Sequence, residues 1–269
     1  MKEISFQGAS VYTIRKEYEI GALTYMRFLQ FKNKYFLRDF DSIYVADIFS
    51  GTGRNVVNDE EIDGSPVRIM DGVCRSKNLT VDVNYFFSDI RPAACEKLSH
   101  YLLERFCAPI ATHTMQASDA INMLGCILYH NPRIFLYLVL DPNGPKDFPK
   151  QEVHDLLMAF PKRIDVIPNI SATAINRCLG ARNLAGRQMQ GWLGEIDNFD
   201  QGFISSLTMS GRSGWIRKPI QGDIHRWVMI PTFGKMPPHN DWANQGYVFL
   251  ASDEGRGLVD FYCGGNKCK

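Results

Sequence analysis

The sequence predicts an α/β protein: a doubly wound, mostly parallel sheet of seven strands with helices on both faces, in one domain spanning residues 1–269. Three observations lead there. Apolar runs of strand length alternate with amphipathic stretches of helix length. The run Ile134 to Leu140 is apolar throughout, as a central strand buried on both faces requires. Successive strand ends carry Asp or Asn, and an open α/β sheet binds its ligands outside those ends.

Taken in order, residues 16 to 36 carry the apolar stripe Ile20, Leu23, Tyr25, Phe28 and Leu29 and read as one long helix. The first strand is Ile43 to Ile48, running into a turn with Gly51 and Gly53 and then a helix. The second is Val81 to Ser88, ending at Asp89; Pro92 sits in the first turn of the next element, and Cys95 to Phe106 are helical. Pro109 to Met115 form a third strand, leading through Q-A-S-D-A to a helix start near Asp119. After the fourth strand, Ile134 to Leu140, come D-P-N-G-P-K, a short helix from Gln151 to Phe160, and a fifth strand from Ile164 to Ile170. Arg226 to Pro231 and Gly246 to Ala251 read as a hairpin at one edge, so residues 172–224 become an insertion between strands five and six.

Composition narrows the class. With 45% apolar and 22% charged residues the chain is ordinary for a globular protein. No stretch reaches the roughly 20 apolar residues that span a bilayer, so no membrane partner is expected. The start M-K-E-I-S-F-Q lacks the apolar core of a signal peptide, which makes a cytoplasmic location the default. Seven scattered cysteines suit a reducing compartment better than a disulfide framework. Cys263 and Cys268 form a C-x4-C without a second Cys/His pair nearby, and no metal site is expected. A net charge of +1 neither demands nor excludes nucleic acid.

The chemistry begins at Y-V-A-D-I-F-S-G-T-G-R, residues 44 to 54. An apolar strand ends at Asp47 and turns through Phe49, Ser50, Gly51 and Gly53. Glycines there let backbone N–H groups approach a nucleotide-like ligand where a Cβ would clash. Val56 and Val57 stand where the dinucleotide fingerprint would put a third glycine. With Asp47 before the glycines, the turn resembles the first motif of class I S-adenosylmethionine-dependent methyltransferases. Asp89, followed by Ile90, lies where a carboxylate would accept hydrogen bonds from both ribose hydroxyls, having two acceptor oxygens and no donor. Asp119 is placed for an adenine amino group, with Ala117 and Ser118 lining the ring. Capping a helix is the rival role for Asp89 and Asp119.

Lys16 with its helix, D-I-F-S-G-T-G-R at 47 to 54, D-G-S-P-V-R at 63 to 68 and L-V-L-D-P-N-G-P at 138 to 145 occur in that order. So arranged, they resemble the three-Cys-motif partner proteins, a methyltransferase-like group of bacteria and their mobile elements. The resemblance covers roughly residues 10 to 180, and the G-S-P is its most specific element. It implies a Rossmann-like class I methyltransferase fold and S-adenosylmethionine as cofactor, and little about substrate.

The expected catalytic segment is Asp141, Pro142 and Asn143. In amino-methyltransferases acting on nucleic acid, the comparable strand end reads Asp or Asn, Pro, Pro, aromatic. Its oxygens hold an exocyclic amine in line with the sulfonium methyl, while the ring stacks on the extruded base. Asp141 and Pro142 match; Asn143 replaces a proline and Gly144 replaces the aromatic, leaving Phe148 either to supply a ring or to cover the core from its loop. No Pro-Cys pair exists for ring-carbon methylation. Residues 172 to 224 interleave Arg177, Arg182, Arg187, Arg212, Arg217 and Lys218 with Trp192 and Trp215, a combination suited to phosphates and flipped bases. Asn169, Ser171 and Arg177 are expected at a strand end facing the same cleft, with Arg177 the preferred phosphate contact and Arg212 a further substrate residue.

The sequence therefore reads as an S-adenosylmethionine-dependent methyltransferase acting on an exocyclic amine of DNA or RNA. The alternative is a non-catalytic S-adenosylmethionine-binding module of a defence or mobile-element system; a small-molecule or protein methyltransferase is a third reading. A partner protein and the oligomeric state are left open.

Overall fold

The computed structural model describes residues 11–32, 38–77, 79–142, 147–171, 212–219, 227–234 and 246–263. The chain divides into two compact units, Met1–Gln116 and Ala117–Lys269.

The first unit contains helix α1 (Val11–Phe31), strands β1 (Ser42–Asp47), β2 (Arg54–Val57) and β3 (Glu60–Asp63), helix α2 (Ser65–Ser76), strand β4 (Asp82–Asp89), helix α3 (Pro92–Phe106) and strand β5 (Thr112–Thr114). β4 lies between β1 and β5, parallel to both, with Asp47 opposite Phe87 and Asp89 opposite Thr114. Val67 and Met70 of α2, Phe87 of β4, and Leu98 and Leu102 of α3 form a buried cluster beneath this sheet end. Burying such side chains is the main favourable term in folding. α1 packs on α2 at close range: a Cβ on Gly72 would lie 2.8 Å from the Gly21 carbonyl oxygen. The face α1 buries is Ile20, Leu23, Phe28 and Phe31, whereas Tyr25 and Leu29 of the expected stripe are exposed. Buried Thr24 and Arg27 complete that face, and the Thr24 hydroxyl donates to the Ile20 carbonyl at 2.8 Å. Polar residues on the buried face are what shifted the apparent stripe.

The glycine turn is not followed by a helix. It enters the β2–β3 hairpin, whose two turn residues, Asn58 and Asp59, both have positive φ, 50° and 65°. That is the primed-turn geometry matching strand twist, and Asn and Asp tolerate it best after glycine. Helix α2 begins only at Ser65, with Pro66 in its first turn, where no N–H is needed.

The second unit contains α4 (Ala117–His130), β6 (Ile134–Leu140), α5 (Lys150–Ala159), β7 (Ile164–Ser171), β8 (Ser213–Arg217), β9 (Trp227–Met229), β10 (Thr232–Phe233), β11 (Tyr247–Phe249) and α6 (Asp253–Cys263). All seven residues of β6 are buried, and β7 pairs with it in parallel, Leu136 opposite Ile164 through Leu140 opposite Pro168. The expected terminal hairpin does not form: β9 pairs antiparallel with the end of β7, and β11 pairs antiparallel with β8. β10 joins β7 to β8, antiparallel to both. One long strand, β7, thus serves two short partners, β10 near its start and β9 near its end. Between β9 and β10 stand Ile230 and Pro231, and proline has no N–H to continue a ladder.

The fold class is the expected one, α/β and Rossmann-like. Apart from the β2–β3 hairpin the strands among the described residues number nine rather than seven, and β1, β4, β5, β6 and β7 run parallel within their units. Of the expected insertion, residues 213–217 are strand β8 and residues 172–211 lie outside the described residues. Among the described residues no helix is long and apolar enough to cross a membrane, and no cluster of His, Cys, Asp and Glu could hold a metal ion. Cys263 ends α6, and Cys268 lies outside the described residues.

Candidate functional site

In the first unit the turn after β1 is built around a fully buried carboxylate. Asp47 accepts the Phe49 N–H on Oδ1 at 3.0 Å and the Ser65 hydroxyl on Oδ2 at 2.6 Å. Its own carbonyl accepts the Ser50 hydroxyl at 2.5 Å, and the Ser50 N–H donates to the Ser88 carbonyl at 3.0 Å. A buried carboxylate needs such donors, because leaving it without them costs more than the bonds contribute. Asp47, expected among the cofactor contacts, is therefore spent on the turn's architecture. The G-S-P motif also acquires a physical role. Ser65 ties the start of α2 to Asp47, and the Gly64 N–H donates to the Gly53 carbonyl at 2.8 Å. A Cβ on Gly64 would lie 3.1 Å from Gly53 C.

The two turn glycines differ. Both hold positive φ, 59° at Gly51 and 73° at Gly53. A Cβ on Gly53 would lie 2.6 Å from Leu98 Cδ1, so Gly53 is packed against protein. A Cβ on Gly51 would meet nothing nearer than Arg91 Nη2 at 3.9 Å among the described residues. Gly51 is the position where a ligand could approach the backbone. Arg54, the last residue of the motif, turns away: its guanidinium lies 3.7 Å from the centre of the Tyr101 ring and pairs with Glu61 at 2.7 Å.

Asp89 closes β4 beside this turn, with 6% of its surface exposed. Oδ2 accepts the Gly51 N–H at 3.1 Å. Arg91 supplies the rest: its backbone N–H and Nε donate to Oδ1 at 2.9 and 2.8 Å, and Nη2 donates to Oδ2 at 3.0 Å. Burial alone would push the Asp89 carboxyl up. The hydrogen bonds and charge of Arg91, with the Gly51 N–H, outweigh it and hold the group below the usual carboxylate range. These four donors fill the four lone-pair positions of the carboxylate. Ile90 stands next to Asp89 with 58% of its surface exposed. Phe49 is half-buried and Ser50 buried.

The second unit holds the remaining expected residues. Ser118 and Asp119 open α4, the first half-buried and the second exposed in the acidic first turn. Asp141, half-buried, and Pro142, buried, follow β6; Asn143 lies outside the described residues. Asn169 is brought to Asp141 by register, one step beyond the Leu140–Pro168 pair, and its Nδ2 donates to Asp141 Oδ1 at 2.7 Å. Asn169 is 1% exposed, and its Oδ1 has no hydrogen-bond partner among the described residues. Ser171 is the last residue of β7, and Arg177 lies outside the described residues.

Two expected substrate residues are corrected. Arg212 is 5% exposed and its guanidinium is engaged internally, donating to Thr232 Oγ1 at 2.6 and 3.0 Å and to the Pro161 and Ile164 carbonyls at 2.7 and 2.8 Å. It fastens β8 and β10 to the start of β7 instead of meeting a phosphate. Phe148 is 6% exposed, its ring in the core and not presented for stacking. Sequence reasoning missed Arg91, whose signal was a guanidinium two residues after an acidic strand end. It also missed the Ser65–Asp47 bond, for which the sequence carries no local signal.

No protein-family model and no curated protein sequence matches the chain. The resemblance to three-Cys-motif partner proteins rests on its sequence motifs. Solved structures to which the chain is similar include protein LPL1258 from Legionella pneumophila, at 10% identity, covering 93% of this chain and 94% of that one, with a TM-score of 0.49. An rRNA methylase from Streptococcus thermophilus is 9% identical over 83% of this chain and 97% of that one, TM-score 0.40. SMU.1697c from Streptococcus mutans, in complex with SAH, is 12% identical over 79% and 96%, TM-score 0.43.

Proposed function

We propose that this protein is an S-adenosylmethionine-dependent methyltransferase whose substrate is an exocyclic amine of a nucleic-acid base. The observation that carries the cofactor half is the bond from the Gly51 N–H to Asp89 Oδ2, at 3.1 Å. It links an open, positive-φ glycine to an ionised carboxylate at the ends of two adjacent parallel strands, β1 and β4. The residues fit the cofactor in three respects. Gly51 leaves room for close approach, Asp89 is a carboxylate that can accept a ribose diol once the Arg91 guanidinium swings away, and exposed Ile90 offers an apolar surface to a flat ring. When bound, S-adenosylmethionine supplies an electrophilic methyl group on a positively charged sulfur.

The chain's own part in transfer is alignment. Asp141 would accept a hydrogen of the amine and orient its lone pair, which is most of what such a displacement needs. Asn143 and Arg177 keep the roles the sequence suggests, in the catalytic segment and on a phosphate. Ser118 and Asp119 keep theirs at the adenine.

Calorimetric titration with S-adenosylmethionine and S-adenosylhomocysteine tests the reading, with Asp89→Ala as control. Micromolar binding weakened by Asp89→Ala, followed by labelled methyl appearing on DNA or RNA, is the expected result. Binding without transfer to any polymer would point to the sensor module of a defence or mobile-element system instead. That second reading is favoured by one observation: Asp89 is closed by Arg91. No binding of either ligand would remove the enzyme reading.

A further inference from the structure

The pair formed by Asp141 and Asn169 says what kind of group the second unit receives. Asp141 bears a carboxylate, which accepts and does not donate, so the Asn169 amide must turn its nitrogen toward Asp141, as it does at 2.7 Å. The amide carbonyl is thereby committed to the other direction. Asn169 Oδ1 is then an acceptor with no donor among the described residues, on a side chain 1% exposed. Buried acceptors are rarely left in that condition, so this one calls for a donor that the described residues do not supply. Register fixes the arrangement, since β6 and β7 pair in parallel up to Leu140 and Pro168 and present the next residue of each side by side.

We infer that Asn169 is a substrate-binding residue whose amide carbonyl accepts one N–H of a primary amino group while Asp141 accepts the other, so that the pair selects –NH2 over hydroxyl, thiol or carbonyl. The inference rests on the methyltransferase reading and narrows its substrate class. An amino group has two donors for two acceptors; a hydroxyl has one and would leave an acceptor unmet, and a carbonyl oxygen would face two acceptors. The transfer step balances simply. The nitrogen lone pair forms the N–C bond to the methyl carbon, the C–S bond breaks with its electron pair going to sulfur, and the sulfonium becomes a neutral thioether. The nitrogen then carries positive charge and releases one of its two protons, through Asp141 to solvent, leaving a secondary amine.

The test combines binding with turnover. Adenosine is compared with purine riboside, guanosine with inosine and cytidine with uridine, each titrated into protein saturated with S-adenosylhomocysteine so that the cofactor pocket is closed to them. Wild type is expected to bind at least one amino nucleoside roughly 10- to 100-fold more tightly than its counterpart, and Asn169→Leu to lose that preference. In turnover, Asn169→Leu should lower transfer from labelled S-adenosylmethionine to heat-denatured DNA or total RNA by a similar factor. Its S-adenosylhomocysteine affinity should stay near wild type, and its melting temperature should fall modestly because Asp141 loses a donor. Asn169→Asp, which keeps acceptor oxygens but loses the donor to Asp141, should restore part of the amino preference.

Equal binding of each nucleoside pair by wild type, unchanged transfer in Asn169→Leu, or methyl found on oxygen, carbon or a ring nitrogen would each overturn the inference while leaving the enzyme reading intact. Failure of wild type to bind S-adenosylhomocysteine overturns the enzyme reading, and the inference with it. If Asn169→Leu melts well below wild type, Asn169→Ser and Asn169→Asp carry the comparison.

Discussion

Arg91 competes with any ribose for Asp89. Its three donors and the Gly51 N–H fill the carboxylate's acceptor positions, so a diol can bind only if the guanidinium swings away. That motion is open to it, since half of the Arg91 side chain is exposed. Arg91→Ala is expected to tighten S-adenosylhomocysteine binding about 3- to 10-fold by calorimetry, the worth of releasing a charged hydrogen bond. Weaker binding would show that Arg91 supports the ligand. The same pairing fixes a pH dependence. The Asp89 carboxyl is held below its unfolded value, so the pairing stabilises the fold above about pH 4 and the contribution is lost as pH falls through the lowered value. Wild type should therefore melt above Arg91→Ala at pH 7, and the gap should close as pH falls through the lowered Asp89 value. The place of Asp89 at the end of β4 was legible in the sequence because the apolar run stops there. Arg91 was not, because a guanidinium two residues on pairs back or points out depending on the turn. Asp47 shows the converse: its place was legible, but its engagement with Ser65, 18 residues away, depends on how α2 returns to the turn.

The β1-to-hairpin turn, as an element, separates two uses of glycine. Gly53→Ala puts a Cβ into Leu98 at a φ of 73° and should destabilise the protein by about 2–4 kcal/mol in urea unfolding. Gly51→Ala meets open space at a φ of 59° and should cost about 1 kcal/mol, while weakening S-adenosylhomocysteine binding far more than Gly53→Ala does once stability is accounted for. Equal effects of both on affinity would mean that the open side of Gly51 is not where the ligand approaches. Legibility by element follows length and burial. β6 was read at its observed bounds because seven consecutive buried apolar residues leave no other pattern. β2 and β3, four residues each, carry too little periodicity, so a helix was expected directly after the glycine turn where the hairpin through Asn58 and Asp59 stands. β8 to β11 are two to five residues long and exist through pairing with β7 or with one another. Arg212 was misassigned for the same reason: only that pairing turns a basic residue in an apparent insertion into a buried fastener.

For the whole molecule, 30 basic and 29 acidic residues leave a net charge of +1. Long-range attraction to a polyanion is therefore weak, and nucleic-acid binding has to arise from local phosphate contacts. Local contacts still release counterions, so binding must fall with salt by about 0.7–0.9 logarithmic units per phosphate for each tenfold rise. A footprint of about four phosphates predicts a loss of roughly 50- to 150-fold between 50 and 200 mM salt. Arg177→Ala should reduce the slope by about one contact while leaving S-adenosylhomocysteine affinity unchanged. Arg212→Ala provides a control: its guanidinium is engaged with Thr232 and the Pro161 and Ile164 carbonyls, so it should lower stability and leave the slope alone. Filter binding of labelled single-stranded DNA and RNA across a salt series reads both. A salt-independent affinity would exclude a phosphate footprint and move the proposed acceptor amine from a nucleic acid to a small molecule or a protein, with the proposed cofactor contacts at Gly51 and Asp89 unaffected.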